Sequence, residues 1–139
     1  MPDAPRAAKK ILLVDDDVAI LGLFKEILSS AGYEVSTAAS GEQCLEVVSG
    51  VKPDLIILDV MMPGLNGPET AAKLAANLMT AKIPIIFATN SITEAQEKLR
   101  GKRPFLSKYS APKDFLSKVQ AIMANPVQTK LKSIMDFEF

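Results

Sequence analysis

Short apolar runs alternate with amphipathic segments five times along the chain. The runs ILLV (11–14), LIIL (55–58) and IPIIFAT (83–89) are apolar almost throughout, which predicts strands buried on both faces. YEVSTA (33–38) alternates apolar and polar residues and predicts an outer strand. PFLSK (104–108) predicts a fifth, less apolar strand. The three most apolar runs are therefore expected in the middle of a sheet.

The segments after the first two runs carry helix signals. The first helix is expected to bury one stripe and to stop at Gly32. That stripe consists of Ile20, Leu23, Phe24, Ile27 and Leu28. Ser40 and Gln43 have the spacing of a capping box for a second helix that ends near Gly50.

Start signals mark three further helices. Pro68 follows turn-forming residues and opens a third helix that is expected to run to about Met79. Thr93 and Gln96 have capping-box spacing for a short fourth helix. Pro112 opens a last helix, whose apolar face holds Phe115, Leu116, Val119, Ile122 and Met123.

Five strand–helix units of this length predict an α/β fold, a doubly wound five-stranded parallel sheet with helices on both faces. With the first, third and fourth strands central, the strand order is 2-1-3-4-5. Residues 1–8 are expected to be a leader, 9–125 the domain, and 126–139 a C-terminal extension. Apolar residues recur at helical spacing in that extension, so it is predicted to form a further helix.

Composition removes several classes of function. Lys+Arg and Asp+Glu number 16 each, so the chain lacks the basic excess of a general nucleic-acid surface. It has no histidine, which excludes histidine catalysis and histidine metal ligands. Cys44 is the single cysteine, so no internal disulfide forms. No apolar run approaches the roughly 18 residues of a membrane span, and we expect a cytoplasmic protein without direct nucleic-acid or membrane contacts.

Polar groups follow four of the predicted strands. They are Asp15, Asp16 and Asp17 after the first, Asp59 after the third, Thr89 at the end of the fourth and Lys108 after the fifth. Because the carboxyl ends of parallel strands share one edge, these groups are expected to meet there. Clustered carboxylates favour a hard cation such as Mg²⁺. With Lys108 and the Thr89 hydroxyl, the set predicts a phosphoryl-binding site in which Asp59 is the nucleophile and forms an aspartyl phosphate.

Each of these residues also has an ordinary structural explanation. Asp17 is well placed to cap the first helix, and Asp59 to begin a turn through its side chain. Asp15 and Asp16 would interact favourably with the dipole of the first helix. Thr89 is a common strand residue, and Lys108 a common surface charge. The coincidence at four strand ends favours the chemical interpretation.

The motifs ILLVDDD, LIILDVMMPGLNG, IIFATN and FLSK, over about residues 9–124, resemble response-regulator receiver domains, the CheY-like family of the flavodoxin-like fold. The resemblance implies a phosphoacceptor, Mg²⁺ as cofactor, and a switch that remodels a partner-binding surface. It implies a phosphohistidine donor on a histidine kinase or phosphotransfer protein, an unknown downstream target, no enzyme activity, and leaves homodimerisation open. The implied residues are Asp59 as phosphoacceptor; Asp16, Asp15, Asp59 and the Met61 carbonyl at the metal; and Thr89, Lys108 and Phe105 in the switch.

Two positions depart from the family pattern. Tyr109 follows Lys108 where the family usually has proline on a cis bond, and Asn90 follows Thr89 where a small residue is usual. A pseudo-receiver that binds partners without phosphorylation is therefore the alternative. A flavin carrier is disfavoured by three acids after the first strand, which would repel a phosphate. A phosphatase with an aspartate nucleophile commonly has a second aspartate two positions on, where this chain has Met61.

Overall fold

The sheet is five-stranded, entirely parallel and ordered β2-β1-β3-β4-β5, as the sequence predicts. The computed structural model describes residues 8–90, 105–108 and 111–124. Its strands are β1 (Lys10–Val14), β2 (Glu34–Ala38), β3 (Leu55–Asp59), β4 (Ile85–Thr89) and β5 (Phe105–Ser107). The helices in the described residues are α1 (Val18–Ser30), α2 (Gly41–Val51), α3 (Gly67–Ala76) and α4 (Pro112–Ala124).

Apolar side chains of β1, β3 and β4 are buried on both faces of the sheet, which explains their unbroken apolar runs. Alternate residues of these strands belong to two separate hydrophobic cores, one on each face of the sheet. One core joins Leu12, Ile56 and Phe87 to α2 and α3, and the other joins Ile11, Ile57 and Ile86 to α1 and α4. Phe24 of α1 and Phe115 of α4 stack with their ring centroids 4.4 Å apart. The helices therefore cover both faces, as predicted.

The strand register aligns the carboxyl ends of the central strands. Val14 lies opposite Leu58, and Asp59 opposite Ala88. The backbone N–H of Lys108 donates to the Thr89 carbonyl at 2.7 Å, which extends this alignment beyond β5. The groups that follow β1, β3, β4 and β5 consequently reach one edge of the sheet.

Two details of the helices differ from the sequence prediction. Leu23 was expected in the buried stripe of α1, but it is 50% exposed, and Leu21 is buried in its place. The apolar positions of α1 are too widely spread around the helix to define the rotation of its buried face. Helix α3 ends at Ala76 rather than near Met79, because Asn77 has extended backbone angles and the Thr80 hydroxyl donates to the Leu74 carbonyl at 2.6 Å.

Several predicted features lie outside the described residues. They are the short helix capped by Thr93 and Gln96, the leader, the C-terminal extension, and the peptide bond between Lys108 and Tyr109. Within the part of the chain that the structure describes, no helix has the length and apolar character needed to cross a membrane.

Candidate functional site

Lys108 joins two buried carboxylates at the carboxyl edge of the sheet. Its Nζ lies 2.7 Å from Oδ2 of Asp15 and 3.0 Å from Oδ1 of Asp59. All three side chains are at most 7% exposed. Lys108 is therefore an internal ion-pair partner and not the solvated surface charge that its residue type alone suggests. The sequence placed Asp15 beside a metal but contained no signal for its direct pairing with Lys108.

The three aspartates after β1 have two different roles: Asp15 and Asp16 join Asp59 in a carboxylate cluster, and Asp17 caps α1. Asp15, Asp16 and Asp59 each offer a carboxylate oxygen, and these oxygens lie within 4.8 Å of one another. Asp17 instead caps α1, accepting hydrogen bonds from the N–H groups of Ala19 at 2.9 Å and Ile20 at 3.3 Å. An Asp15 oxygen accepts a hydrogen bond from the N–H of Asp17 at 2.9 Å, which stabilises the turn between β1 and α1.

The electrostatics of the cluster favour a cation. Burial raises the pKa of the Asp59 carboxyl from its ordinary value of 3.8 to about 7. The Lys108 hydrogen bond opposes this rise in pKa, whereas the charge of Asp15 and a hydrogen bond with Asp16 add to it. Burial disfavours the charged Lys108, but its hydrogen bonds to Asp15 and Asp59 outweigh that effect and raise its pKa. One ammonium group thus pairs with two of the three clustered carboxyl groups.

This set of donors fits Mg²⁺, which takes oxygen ligands and usually binds one or two carboxylates while keeping several waters. Asp15 and Asp59 are buried, whereas Asp16 is exposed, so the cluster opens to solvent on the side of Asp16. A doubly charged ion there would offset the excess of carboxylates that Lys108 alone does not balance.

Close packing after β3 holds Asp59 at the edge. The N–H of Gly67 donates to the Val60 carbonyl at 3.0 Å, and a Cβ at position 67 would collide with the backbone oxygen of Asp59. Only glycine allows α3 to begin this close to the end of β3. Asn66 and Glu69 form a capping box that starts α3 in the same place.

Glu42, at the start of α2, supports the same loop. One of its carboxylate oxygens accepts a hydrogen bond from the N–H of Leu65 at 3.2 Å. The preceding Gly64 has a positive φ of 73°, a conformation that other residues adopt only with strain. The sequence prediction missed this role of Glu42, and its position in the first turn of α2 was the only available signal.

The remaining candidate residues lie in β4, in the loop after β3 and in β5. Thr89 is buried at the end of β4, and its neighbour Asn90 is exposed. The Met61 side chain is 44% exposed in the loop after β3. The backbone of Phe105 pairs with Phe87 in β5, but the Phe105 side chain lies outside the described residues.

Comparison with known proteins identifies the family. The sequence model of the family described as response regulator receiver domain matches residues 11–120 of this chain. The alkaline phosphatase synthesis transcriptional regulatory protein PhoP of Bacillus subtilis is 36% identical over 118 residues, which are 83% of this chain and 48% of that protein. The phosphate regulon transcriptional regulatory protein PhoB of Pseudomonas aeruginosa is 34% identical over 119 residues, 83% of this chain and 52% of that protein. The chain thus spans about half the length of these curated relatives.

Solved structures agree with this match. The chemotaxis protein CheY4 of Vibrio cholerae superposes with a TM-score of 0.74 at 34% identity, covering 84% of this chain and 99% of that one. A putative response regulator from Chloroflexus aurantiacus superposes with a TM-score of 0.77 at 30% identity, covering 86% of this chain and all of that one (100%).

Proposed function

This chain belongs to the response-regulator receiver domain family, and on that premise we propose that it accepts a phosphoryl group on Asp59 in a Mg²⁺-dependent reaction. The observation that supports this role most directly is the geometry around Asp59. A buried carboxylate at the end of the central strand lies 3.0 Å from Lys108 Nζ and within 4.8 Å of the Asp15 and Asp16 oxygens. A carboxylate so placed can act as a nucleophile without a general base once it is ionised.

The proposed step is transfer from a phosphohistidine. An Asp59 oxygen forms a bond to phosphorus while the bond from phosphorus to the donor's imidazole nitrogen breaks, and the imidazole then takes a proton from solvent. Lys108 would contact a phosphoryl oxygen of the product, and Thr89 would donate its hydroxyl to another. Asp16, Asp59 and the Met61 carbonyl would hold Mg²⁺, with Asp15 acting through water, and the bound ion would supply positive charge beside the phosphoryl oxygens.

The proposed consequence is a change of the partner-binding surface. Thr89 pairs with Ser107 of β5, and Phe105 of the same strand pairs with Phe87, so a movement of Thr89 toward the phosphoryl group would displace β5 and with it Phe105. The surface that we expect to respond is that of the predicted helix capped by Thr93 and Gln96, together with β5. We retain 9–125 as the receiver, with 1–8 as leader and 126–139 as extension.

The proposed donor is a histidine kinase or a histidine phosphotransfer protein, and the downstream target is a separate question. PhoP and PhoB are transcriptional regulators by name. They lend no support to the expectation that the protein avoids nucleic acid, since this chain matches only about half of each.

Intact mass after incubation with acetyl phosphate tests the phosphoacceptor. Wild type should gain one phosphoryl group with Mg²⁺ and none with EDTA, and Asp59→Asn should gain none. Asp54→Asn is a matched control, because Asp54 is an exposed aspartate at the opposite end of β3; it should be labelled like wild type. Equal labelling of wild type and Asp59→Asn would contradict the assignment. An unlabelled wild type that is nevertheless stabilised by Mg²⁺ would favour the pseudo-receiver.

A further inference from the structure

Two adjoining cavities lie at the end of the sheet opposite Asp59. One has a volume of about 270 Å³ and the other about 210 Å³, and Pro53 and Ile83 line both. Each is several times the roughly 30 Å³ that a water molecule occupies in the liquid. We call these two cavities, which share two of their lining residues, the basal groove, and each is too large to be a packing defect.

The basal groove combines apolar walls with a basic rim. Besides Pro53 and Ile83, its walls include Val48, Pro84, Met79 and Met123. Three lysines, Lys9, Lys52 and Lys82, lie along it, against one aspartate, Asp54. Within the described part of the chain, no carboxylate forms an ion pair with any of these lysines. Such a surface suits a ligand that is both apolar and acidic.

Large apolar side chains are exposed at one end of the groove. Met79, which lines the groove, is 82% exposed, and its neighbour Leu78 is 91% exposed. They lie in the turn after α3, where the sequence had predicted a continuing helix. Adjacent exposed apolar residues beside a cavity are typical of a contact surface.

The C-terminal extension has the matching chemistry. Met123, which lines the groove, is the second-last residue of α4, so the described part of the chain ends beside the groove. The extension ends in DFEF, where Phe137 and Phe139 alternate with Asp136 and Glu138. Aromatic rings suit the apolar walls, and the two carboxylates suit the lysine rim.

The length of the extension also suits this site. From Ala124 to Phe137 the chain can span about 20 Å as a helix and about 40 Å when extended. The radius of gyration expected for a domain of this size is only about 14 Å. Because a tethered segment has an effective concentration in the millimolar range, the chain's own extension has an advantage over a second copy.

We propose that residues 126–139 dock back onto their own domain, with Phe137 and Phe139 in the basal groove and Asp136 and Glu138 at its lysine rim. This docking is independent of phosphoryl transfer, since the groove and the carboxylate cluster lie at opposite ends of the sheet.

Nuclear Overhauser contacts in the full, isotopically labelled chain test the docking. Ring protons of Phe137 and Phe139 should show contacts to the methyl groups of Ile83, Met79 or Met123. In the variant Phe137→Ala/Phe139→Ala, the resonances of these methyl groups should shift while circular dichroism stays unchanged. No contacts in wild type and no shift in the variant would overturn the proposal.

Charge exchange and isotope mixing sharpen the test. Lys9→Glu/Lys82→Glu should abolish the contacts, and adding Asp136→Lys/Glu138→Lys should restore them. The matched control Leu23→Ala changes an exposed leucine on α1 and should leave the contacts intact. Failure of the charge exchange to restore the contacts would count against the lysine rim. In a mixture of labelled and unlabelled chains, contacts observed only between chains would overturn the proposal in favour of a second copy.

Discussion

Without Mg²⁺, the stability of the fold is expected to fall as the pH rises from 3.8 to about 7, because over this range Asp59 loses its proton in the unfolded chain but keeps it in the native state, where it is buried. Burial raises the pKa of its carboxyl from 3.8 to about 7, and Lys108 only partly offsets the effect. A carboxyl whose native pKa exceeds its unfolded pKa binds its proton more tightly in the native state. Its contribution to stability is therefore fully present below pH 3.8 and is lost as the pH rises through about 7.

The size of this effect follows from the two pKa values. At about 1.4 kcal/mol per pKa unit, the difference corresponds to up to about 4 kcal/mol. Domains are commonly stable by only about 5–15 kcal/mol, so the loss would be a large part of the total. Bound Mg²⁺ should reverse the trend, because it favours the ionised form of Asp59 and binds only the native state.

Urea unfolding followed by circular dichroism, at pH values from about 5 to about 8, measures this directly. In EDTA the free energy of unfolding should fall over this range for wild type, and Asp59→Asn should remove most of the slope. Asp54→Asn, at the opposite end of β3, should keep the wild-type slope. A wild-type stability that stays flat or rises in EDTA would refute the reasoning, as would an unchanged slope in Asp59→Asn.

Three further predictions concern the surroundings of the site. Isothermal titration with Mg²⁺ should show strong weakening in Asp16→Asn and little in Asp17→Asn, since Asp17 caps α1; the opposite order would mean that the roles of the two acids are exchanged. Urea unfolding should show Asp17→Ala to be less stable than Asp17→Asn by about 1 kcal/mol, because asparagine still caps a helix. Gly67→Ala should lose about 1–3 kcal/mol through the collision with the Asp59 backbone oxygen, and wild-type stability would contradict that packing.

Much of the fold could be predicted from local sequence. The runs 11–14, 55–58 and 85–88 within β1, β3 and β4 are buried on both faces, so their residues are apolar, and that requirement marks these strands as central. Asp17 and Asn66 act as helix caps through atoms only a few residues away. The aspartates, Thr89 and Lys108 of the proposed site were also suggested by sequence, because parallel strands bring their carboxyl ends to one edge whatever the details of packing. Met61 and Phe105 were implied only by the family resemblance.

Other features depended on contacts between distant parts of the chain. The rotation of α1, which buries Leu21 and exposes Leu23, depends on how the helix packs against the sheet and α4. The support of the β3–α3 loop by Glu42 joins residues 23 positions apart.

The ionisation of Asp59 shows most clearly the difference between what local sequence determines and what tertiary contacts determine. The sequence alone placed an acid at the end of a buried strand, but its charge depends on groups that come from different strands. Only the tertiary structure decided that Lys108 would be shared with Asp15 and that burial would raise the pKa of Asp59 to about 7. The physical reason is that desolvation and Coulomb interactions act through space, whereas propensity and periodicity act along the chain.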